Sequence, residues 1–418
     1  MEASLPEYLA PGVFVEETSL GGHAIDGVST STAAFLGLSE RGPIGAVSTV
    51  ISSYSDFVRV YGDDSDLILS GQPFTNYMAR AVRGFFDNGG NRLFVVRVSP
   101  PQPQAKGSDT QKTNVFHGLF HRILWPRFAL RKRPTATYRD ALRLLENVPS
   151  VSIIAAPSAA HAFIDPIEAV AHLRSVQAEL IAHAEKMQHC FAVLDPPLDL
   201  SPKKVSTFAN ALDSSYAALY YPWLKEASSG ANSVPPSGAI CGIYARTDRQ
   251  HGVWKAPANV TIAGISGFER DIHAAEQEML NPIGVNVSRA IPGRGLRLYG
   301  ARTLSSDPEW RYVSIRRYLS FIETSICDGI SWAVFEPNDE PLWAEFKSCV
   351  EVFLSNNFRQ GALQGQTETD AFFVRCDRTT MTQSDIDNGR LIAQVGVAIL
   401  KPAEFRIIRI KKNLSRAA

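Results

Sequence analysis

Apolar residues recur along this chain with two different periods, and the change of period marks out its elements. Phe74, Tyr77, Ala81 and Phe85 lie three and four residues apart, which predicts a helix over 73–86 with these side chains on one face, stopped by Asn88-Gly89-Gly90. A β-prone run over 92–98 predicts a strand immediately after it. Further strands are expected at 151–156 and 191–194. Between them Asp165 and Pro166 open a helix whose Ile167, Val170, Leu173, Leu180, Ala184 and Met187 share a face. Strand, helix and strand in that order imply parallel pairing with the helix packed on the sheet, and a helix near 203–212 with a strand over 216–221 extends the pattern. Near the start, Pro11-Gly-Val-Phe-Val-Glu-Glu17 is a short strand after a Pro-Gly turn, suited to an edge or a free arm.

The last third begins with a helix capped by Asn338 or Asp339 and opened by Pro341. Trp343, Phe346, Val350 and Phe353 line one side of it, and it ends near Gly361. Thr382-Gln-Ser-Asp385 resembles the capping box of a short helix ended by Gly389. Leu391, Ala393, Val395, Val397 and Ile399 then alternate as a long strand. A final strand, Phe405 to Ile410, has an apolar phase that slips between Ile407 and Ile408. No repeat of domain-building length is visible. The expected fold class is α/β, in a mixed α+β arrangement.

Composition narrows the possibilities. A length of 418 residues suggests about three domains at roughly 150 residues each. The 42 Lys and Arg balance 42 Asp and Glu, which argues against a dedicated nucleic-acid binder. The five cysteines are widely spaced with no C-x-x-C pair, so neither a disulfide framework nor a zinc site is indicated and a reducing compartment is expected. The first nine residues hold two acids and no base, unlike a secretory leader, and the longest charge-free stretch, 227–245, is too rich in Ser, Gly and Pro to span a bilayer.

Balanced totals conceal an uneven distribution. Residues 1–40 carry Glu2, Glu7, Glu16, Glu17, Asp26 and Glu40 and no Lys or Arg, whereas from 401 onward Lys401, Arg406, Arg409, Lys411, Lys412 and Arg416 face the single acid Glu404. Ends of opposite sign attract each other within or between chains, although both could equally be solvated termini. A third biased stretch, 101–143, holds nine bases and two acids behind a Pro-rich opening that reads as a linker.

Catalytic chemistry finds little support. His161, His172 and His183 recur every 11 residues, so His172 and His183 share a helical face, but a rise of about 16 Å prevents them from binding one metal. Pro292-Gly-Arg-Gly-Leu-Arg-Leu-Tyr-Gly300 matches neither the dinucleotide fingerprint nor the phosphate loop and is better read as a turn between strands. Gly264-Ile-Ser-Gly267 is not a nucleophile elbow. Asp195, just past the C-terminal end of a parallel strand, occupies the place where α/β proteins bind ligands, but no partner acid, base or nucleophile accompanies it.

Several blocks together resemble the contractile tail sheath proteins of phages and related injection systems. They include Tyr8 to Glu17, Gly27 to Ala34, Arg83-Gly-Phe-Phe-Asp-Asn-Gly-Gly90, Phe191-Ala-Val-Leu-Asp-Pro-Pro197, Ala217-Ala-Leu-Tyr-Tyr-Pro-Trp223, Gly252 to Asn259, Phe335 to Trp343, Cys376 to Thr382 and Lys401-Pro-Ala-Glu-Phe405, in the family's order. The resemblance covers about 1–100 and 150–412; nothing in 101–148 takes part. It implies an N-terminal arm over 1–26, an inner domain made of 27–100 and 286–400, a basic linker or insertion over 101–148, an outward-facing middle α/β domain over 149–285, and a C-terminal strand arm over 401–418.

The implied function is mechanical: subunits stack as six-fold rings around an inner tube and contract to drive it through a target envelope. The implied partners are further copies of the chain, the inner tube protein, and baseplate and terminator or cap proteins, with no cofactor, metal, nucleic acid or membrane insertion. The particle, a phage tail or a released contractile device, would be assembled in the bacterial cytoplasm. Inter-subunit pairing would join Val13, Phe14, Val15, Glu16 and Glu17 to Phe405, Arg406, Ile407, Ile408, Arg409 and Ile410, with Glu345, Lys347 and Glu351 as tube-facing candidates. The alternative is an α/β enzyme or binding module with a polar pocket near Asp195.

Overall fold

The computed structural model describes residues 23–69, 71–100, 136–160, 166–227 and 233–414. Its strands are β1 (Ala33–Gly37), β2 (Leu67–Leu69), β3 (Gln72–Phe74), β4 (Leu93–Arg97), β5 (Ile153–Ala155), β6 (Phe191–Leu194), β7 (Ala217–Tyr221), β8 (Leu224–Glu226), β9 (Ser233–Val234), β10 (Val260–Thr261), β11 (Ile265–Phe268), β12 (Val285–Ile291), β13 (Gly295–Leu298), β14 (Phe372–Arg375), β15 (Arg390–Ala398) and β16 (Phe405–Asn413). Its α-helices are α1 (Tyr54–Tyr61), α2 (Tyr77–Asp87), α3 (Tyr138–Leu145), α4 (Pro166–Met187), α5 (Pro202–Ala209), α6 (Ser237–His251), α7 (Ala274–Leu280), α8 (Val313–Gly329), α9 (Glu340–Arg359), α10 (Glu368–Ala371) and α11 (Gln383–Asp387). The chain divides into two compact units, 27–324 and 1–26 with 325–418.

In the unit 27–324 an eight-stranded sheet runs β10-β13-β12-β7-β6-β5-β1-β4. Pairing is parallel from β12 through to β4, and the β12–β13 hairpin and β10 add an antiparallel end. Successive side chains of a strand point to opposite faces. Phe35, Val95, Phe191, Val193 and Tyr220 accordingly meet α1, α2 and α6 on one face, while Ala34, Leu36, Val96, Leu194 and Leu219 meet α3, α4 and α5 on the other. Covered on both sides, these strands are runs of uninterrupted burial. Helices α2 and α6 approach closely because Gly238 and Gly242 lack side chains: a Cβ at either would overlap the Ala81 or Phe85 carbonyl.

One buried ion pair ties this unit together. Arg317 donates to Asp248 on α6 through both terminal nitrogens at 3.0 and 2.6 Å, donates again to the Thr30 carbonyl at 2.9 Å, and lies over the Tyr244 ring. It thereby fixes the segment that leads into β1. The outer edge of β4 is covered by its own chain: Gly45, Ser48 and Ile51 donate to the carbonyls of Arg97, Val95 and Leu93, and Leu93 donates back to Ile51.

Several expectations shift in detail. The helix foreseen over 73–86 starts at Tyr77, because the Asn76 side chain accepts from the Ala79 N–H, and Phe74 belongs to β3. On α4 the core face is Leu173, Val176, Leu180 and Ala184, while Ile167 is 80% exposed. The stretch 101–148 is not uniformly a linker. Residues 101–135 lie outside the described region, but Ala141, Leu142 and Leu145 of α3 are core residues, and Ser99 and Ala136 close the base of the excursion through Ser99 N–H to Ala136 O (2.8 Å) and Ala136 N–H to Ser99 Oγ (2.9 Å). The segment 27–100, expected in an inner domain, supplies β1 and β4 to the same sheet as the middle segment, and 286–324 joins them because β12 pairs with β7.

The unit containing 325–418 is built on a three-stranded antiparallel sheet, β14-β15-β16, with α9 beside β14. Asp339 caps α9 by accepting from the Leu342 N–H, and Leu342, Trp343, Phe346, Val350, Phe353 and Leu354 are buried. The foreseen Thr382 capping box is present at α11.

Candidate assembly edge

Strand β16 is where the chain offers backbone to another strand. It pairs with β15 over all nine residues in continuous register, from Phe405 opposite Ala398 to Asn413 opposite Arg390, and its other side meets no strand among the described residues. At about 3.4 Å per residue the edge runs roughly 30 Å. The apparent phase slip resolves without a bulge. Ile408 and Ile410 face inward opposite Val395 and Ala393, while Ile407, Arg409 and Lys411 face outward, Ile407 being 62% exposed.

The outward row continues across the sheet. Ile407 stands opposite Gly396, which stands opposite Phe373, and the next row is Arg409, Gln394 and Arg375. Gly396 leaves the space that the Phe373 ring fills, and the ring meets Phe405 edge-on at 5.1 Å with the Arg375 guanidinium 4.9 Å above it. At the far end of the strand pair, Arg390 at the start of β15 donates to Asp385 at 2.8 Å. Hydrogen bonds from Thr382 together with Arg390 push that carboxyl down to about 2, so this corner stays ionised through the physiological range.

The structure places Phe405 to Ile410 on this edge, whereas Val13 to Glu17 lie outside the described residues. Glu345, Lys347 and Glu351 share α9. Lys347 and Glu351 pair at 3.7 Å, and Glu345 lies 3.8 Å from His23, a partner that sequence reasoning missed. Asp195, which the alternative reading sets beside a polar pocket, is enclosed. It is 4% exposed, its two carboxylate oxygens accept from the N–H and hydroxyl of Ser237 at the start of α6, and Gln177 donates to its carbonyl. Burial without a cation pushes it up to about 7, and the group serves to tie β6 to α6. His172 lies edge-on to Tyr138 and His183 is buried; both are held below the usual histidine range by burial, and His161 lies outside the described residues. Among the described residues no cluster of His, Cys, Asp and Glu could hold a metal, and none of the five cysteines is joined in a disulfide.

The chain matches the helical sheath of the anti-feeding prophage in its contracted state with a TM-score of 0.70 and 28% identity, covering 97% of this chain and 99% of that one. It matches the sheath of the PVC extracellular contractile injection system, also contracted, with a TM-score of 0.69 and 25% identity over 98% of both chains. Residues 135–304 fit the phage tail sheath protein central domain and 305–412 the phage tail sheath C-terminal domain, together about two thirds of the chain. The protein belongs to the tail sheath family, a family of structural subunits. Curated relatives include the tail sheath protein of Vibrio phage KVP40, 29% identical over 48% of this chain, and a putative prophage major tail sheath protein of Pseudomonas aeruginosa, 27% identical over 54%. The matched regions span 29% and 59% of those relatives' lengths.

Proposed function

We propose that the chain is the subunit of a contractile sheath that polymerises as stacked six-fold rings around an inner tube and contracts to drive the tube through an envelope. Its partners are then further copies of itself, the tube protein, and the baseplate and cap proteins at the two ends, and the particle is a phage tail or a released contractile device assembled in the bacterial cytoplasm. The unit formed from both chain ends lines the tube, with Glu345, Lys347 and Glu351 as candidates for that contact, and the middle segment faces outward.

The observation that carries this reading is the open edge of β16. A long regular edge strand is a template for pairing, and soluble proteins usually shorten or cover such edges. This one bears Arg406, Arg409, Lys411 and Lys412. Those charges disfavour pairing of two copies of the edge with each other and favour an acidic strand. Residues 13–17, Val-Phe-Val-Glu-Glu, meet that description and lie in a 40-residue segment without Lys or Arg. Pairing of one subunit's arm with another's edge is heterologous and does not close on itself, as a helical polymer requires.

Deleting residues 1–17 tests it. The shortened chain should melt as the parent does and form no tubes when expressed with the proteins encoded beside it. Tubes of normal length seen by electron microscopy would overturn the arm-exchange reading.

A further inference from the structure

The arm proposed above to pair with a neighbour must leave its own subunit in a defined direction, and the structure shows what holds its root. His23 stacks on Trp332, in the turn between α8 and α9, with ring centres 4.3 Å apart and planes 11° from parallel. Its Nε2 lies 3.8 Å from a carboxylate oxygen of Glu345 on α9. Two residues on, Ile25 rests against Gly329, the last residue of α8: a Cβ there would lie 2.8 Å from one Ile25 side-chain carbon and 2.9 Å from another, closer than carbon atoms tolerate. All five residues belong to one unit. A stack, an approach to a carboxylate and a glycine-shaped seat thus hold alternate residues of a segment that has no secondary structure of its own.

From these contacts we infer that Trp332, Glu345 and Gly329 form a socket for His23 and Ile25 that aims the N-terminal arm, making all five positioning residues for assembly. The inference rests on the arm-exchange reading and adds to it. A tether of some twenty residues on a free pivot spreads its tip over a large volume, whereas fixing its base raises the effective concentration of the tip at one place. Preorganisation of this kind strengthens association without adding a contact to the partner. His23 and Glu345 are partly exposed, so neither is needed to fill the core.

The test uses the full-length chain expressed with its assembly proteins and reads the fraction recovered as sedimenting tubes beside the melting temperature of the free chain. An aromatic pair corresponds to roughly a three- to tenfold change in an equilibrium, so His23→Ala and Trp332→Ala should each lower tube yield about three- to tenfold, and the double variant should do no worse than either alone. His23→Phe retains the stack and should restore yield to within about twofold. Gly329→Val should match His23→Ala, because it evicts Ile25. Trp332 is the larger loss to the fold; should its variant melt early, the partly exposed His23 still decides. Parental yield from His23→Ala, or equal loss in His23→Ala and His23→Phe, would overturn the socket. If the 1–17 deletion is assembly-dead while His23→Ala assembles normally, the socket alone fails; if the deletion also assembles, the arm reading fails with it.

Discussion

The two units treat the edges of their sheets in opposite ways. In the eight-stranded sheet of 27–324 one edge, β4, is covered by the segment around Ile44 to Ile51, and the other, β10, is only two residues long. In the other unit β16 presents nine regular residues to solvent. The first unit is finished by its own chain; the second ends on backbone donors and acceptors that a further strand can use. A subunit that must change its packing while remaining linked to its neighbours needs both properties: bodies stiff enough to transmit motion, and joints made of backbone pairing.

The interior of 27–324 should therefore be where substitutions destabilise most. Arg317→Met leaves Asp248 buried at 9% exposure without its cation and should lower unfolding free energy by about 3–5 kcal/mol in denaturant titration. The double substitution Arg317→Met with Asp248→Leu should recover most of that loss, since the uncompensated charge is then gone. A loss below about 1 kcal/mol from Arg317→Met alone would show that this unit is held by its two apolar faces and not by the pair.

Asp195 gives the next effect, with a distinctive sign. Below about pH 4 the carboxyl is protonated in folded and unfolded chains alike. Between there and its folded value of about 7 only the unfolded chain ionises, so this group makes stability fall with rising pH by at most about 1.4 kcal/mol per pH unit, levelling off above 7. Carboxylates such as Asp385, held low by hydrogen bonds, change stability in the opposite direction at lower pH, so the parent must be compared with Asp195→Asn. The variant should gain on the parent between about pH 4 and 7; parallel curves would place Asp195 in contact with solvent or an unseen cation.

How much of this was legible in the sequence follows from the same contrast. Elements with one buried face announced themselves through period, as α9 and β15 show. Helix α6 did not. Ser237 to Ala245 are buried on every side, so no polar face marks the 3.6 period, and its glycines are what allow α2 to approach. Strand β1 is too short and too apolar to distinguish from a buried helical turn. The basic edge was visible as a charge run and its strand as an alternation, but which isoleucine faces outward depended on the register with β15. Asp195 was correctly placed at a strand end, but its hydrogen-bond partner Ser237, 42 residues away, was not legible. The His23 socket joins residues some 300 positions apart, and no local pattern encodes that.

The smallest stability effect belongs to the open edge and sharpens the comparison most. Ile407 faces outward on β16 opposite Gly396, so Ile407→Asp removes no core packing and should alter the melting of the chain by no more than about 0.5 kcal/mol equivalent. Assembly should nevertheless suffer, because the substitution places an acid on a strand whose outward charges, Arg409 and Lys411, suit an acidic partner. Leu36→Asp in the covered sheet should do the reverse, unfolding its unit by burying an unpaired charge in a fully enclosed strand. If Ile407→Asp also unfolds the chain, β16 is integral to its unit's core and the edge is less open than its geometry indicates. If the variant folds and forms tubes normally, the joint lies elsewhere, and β14, the sheet's other edge, becomes the strand to substitute next.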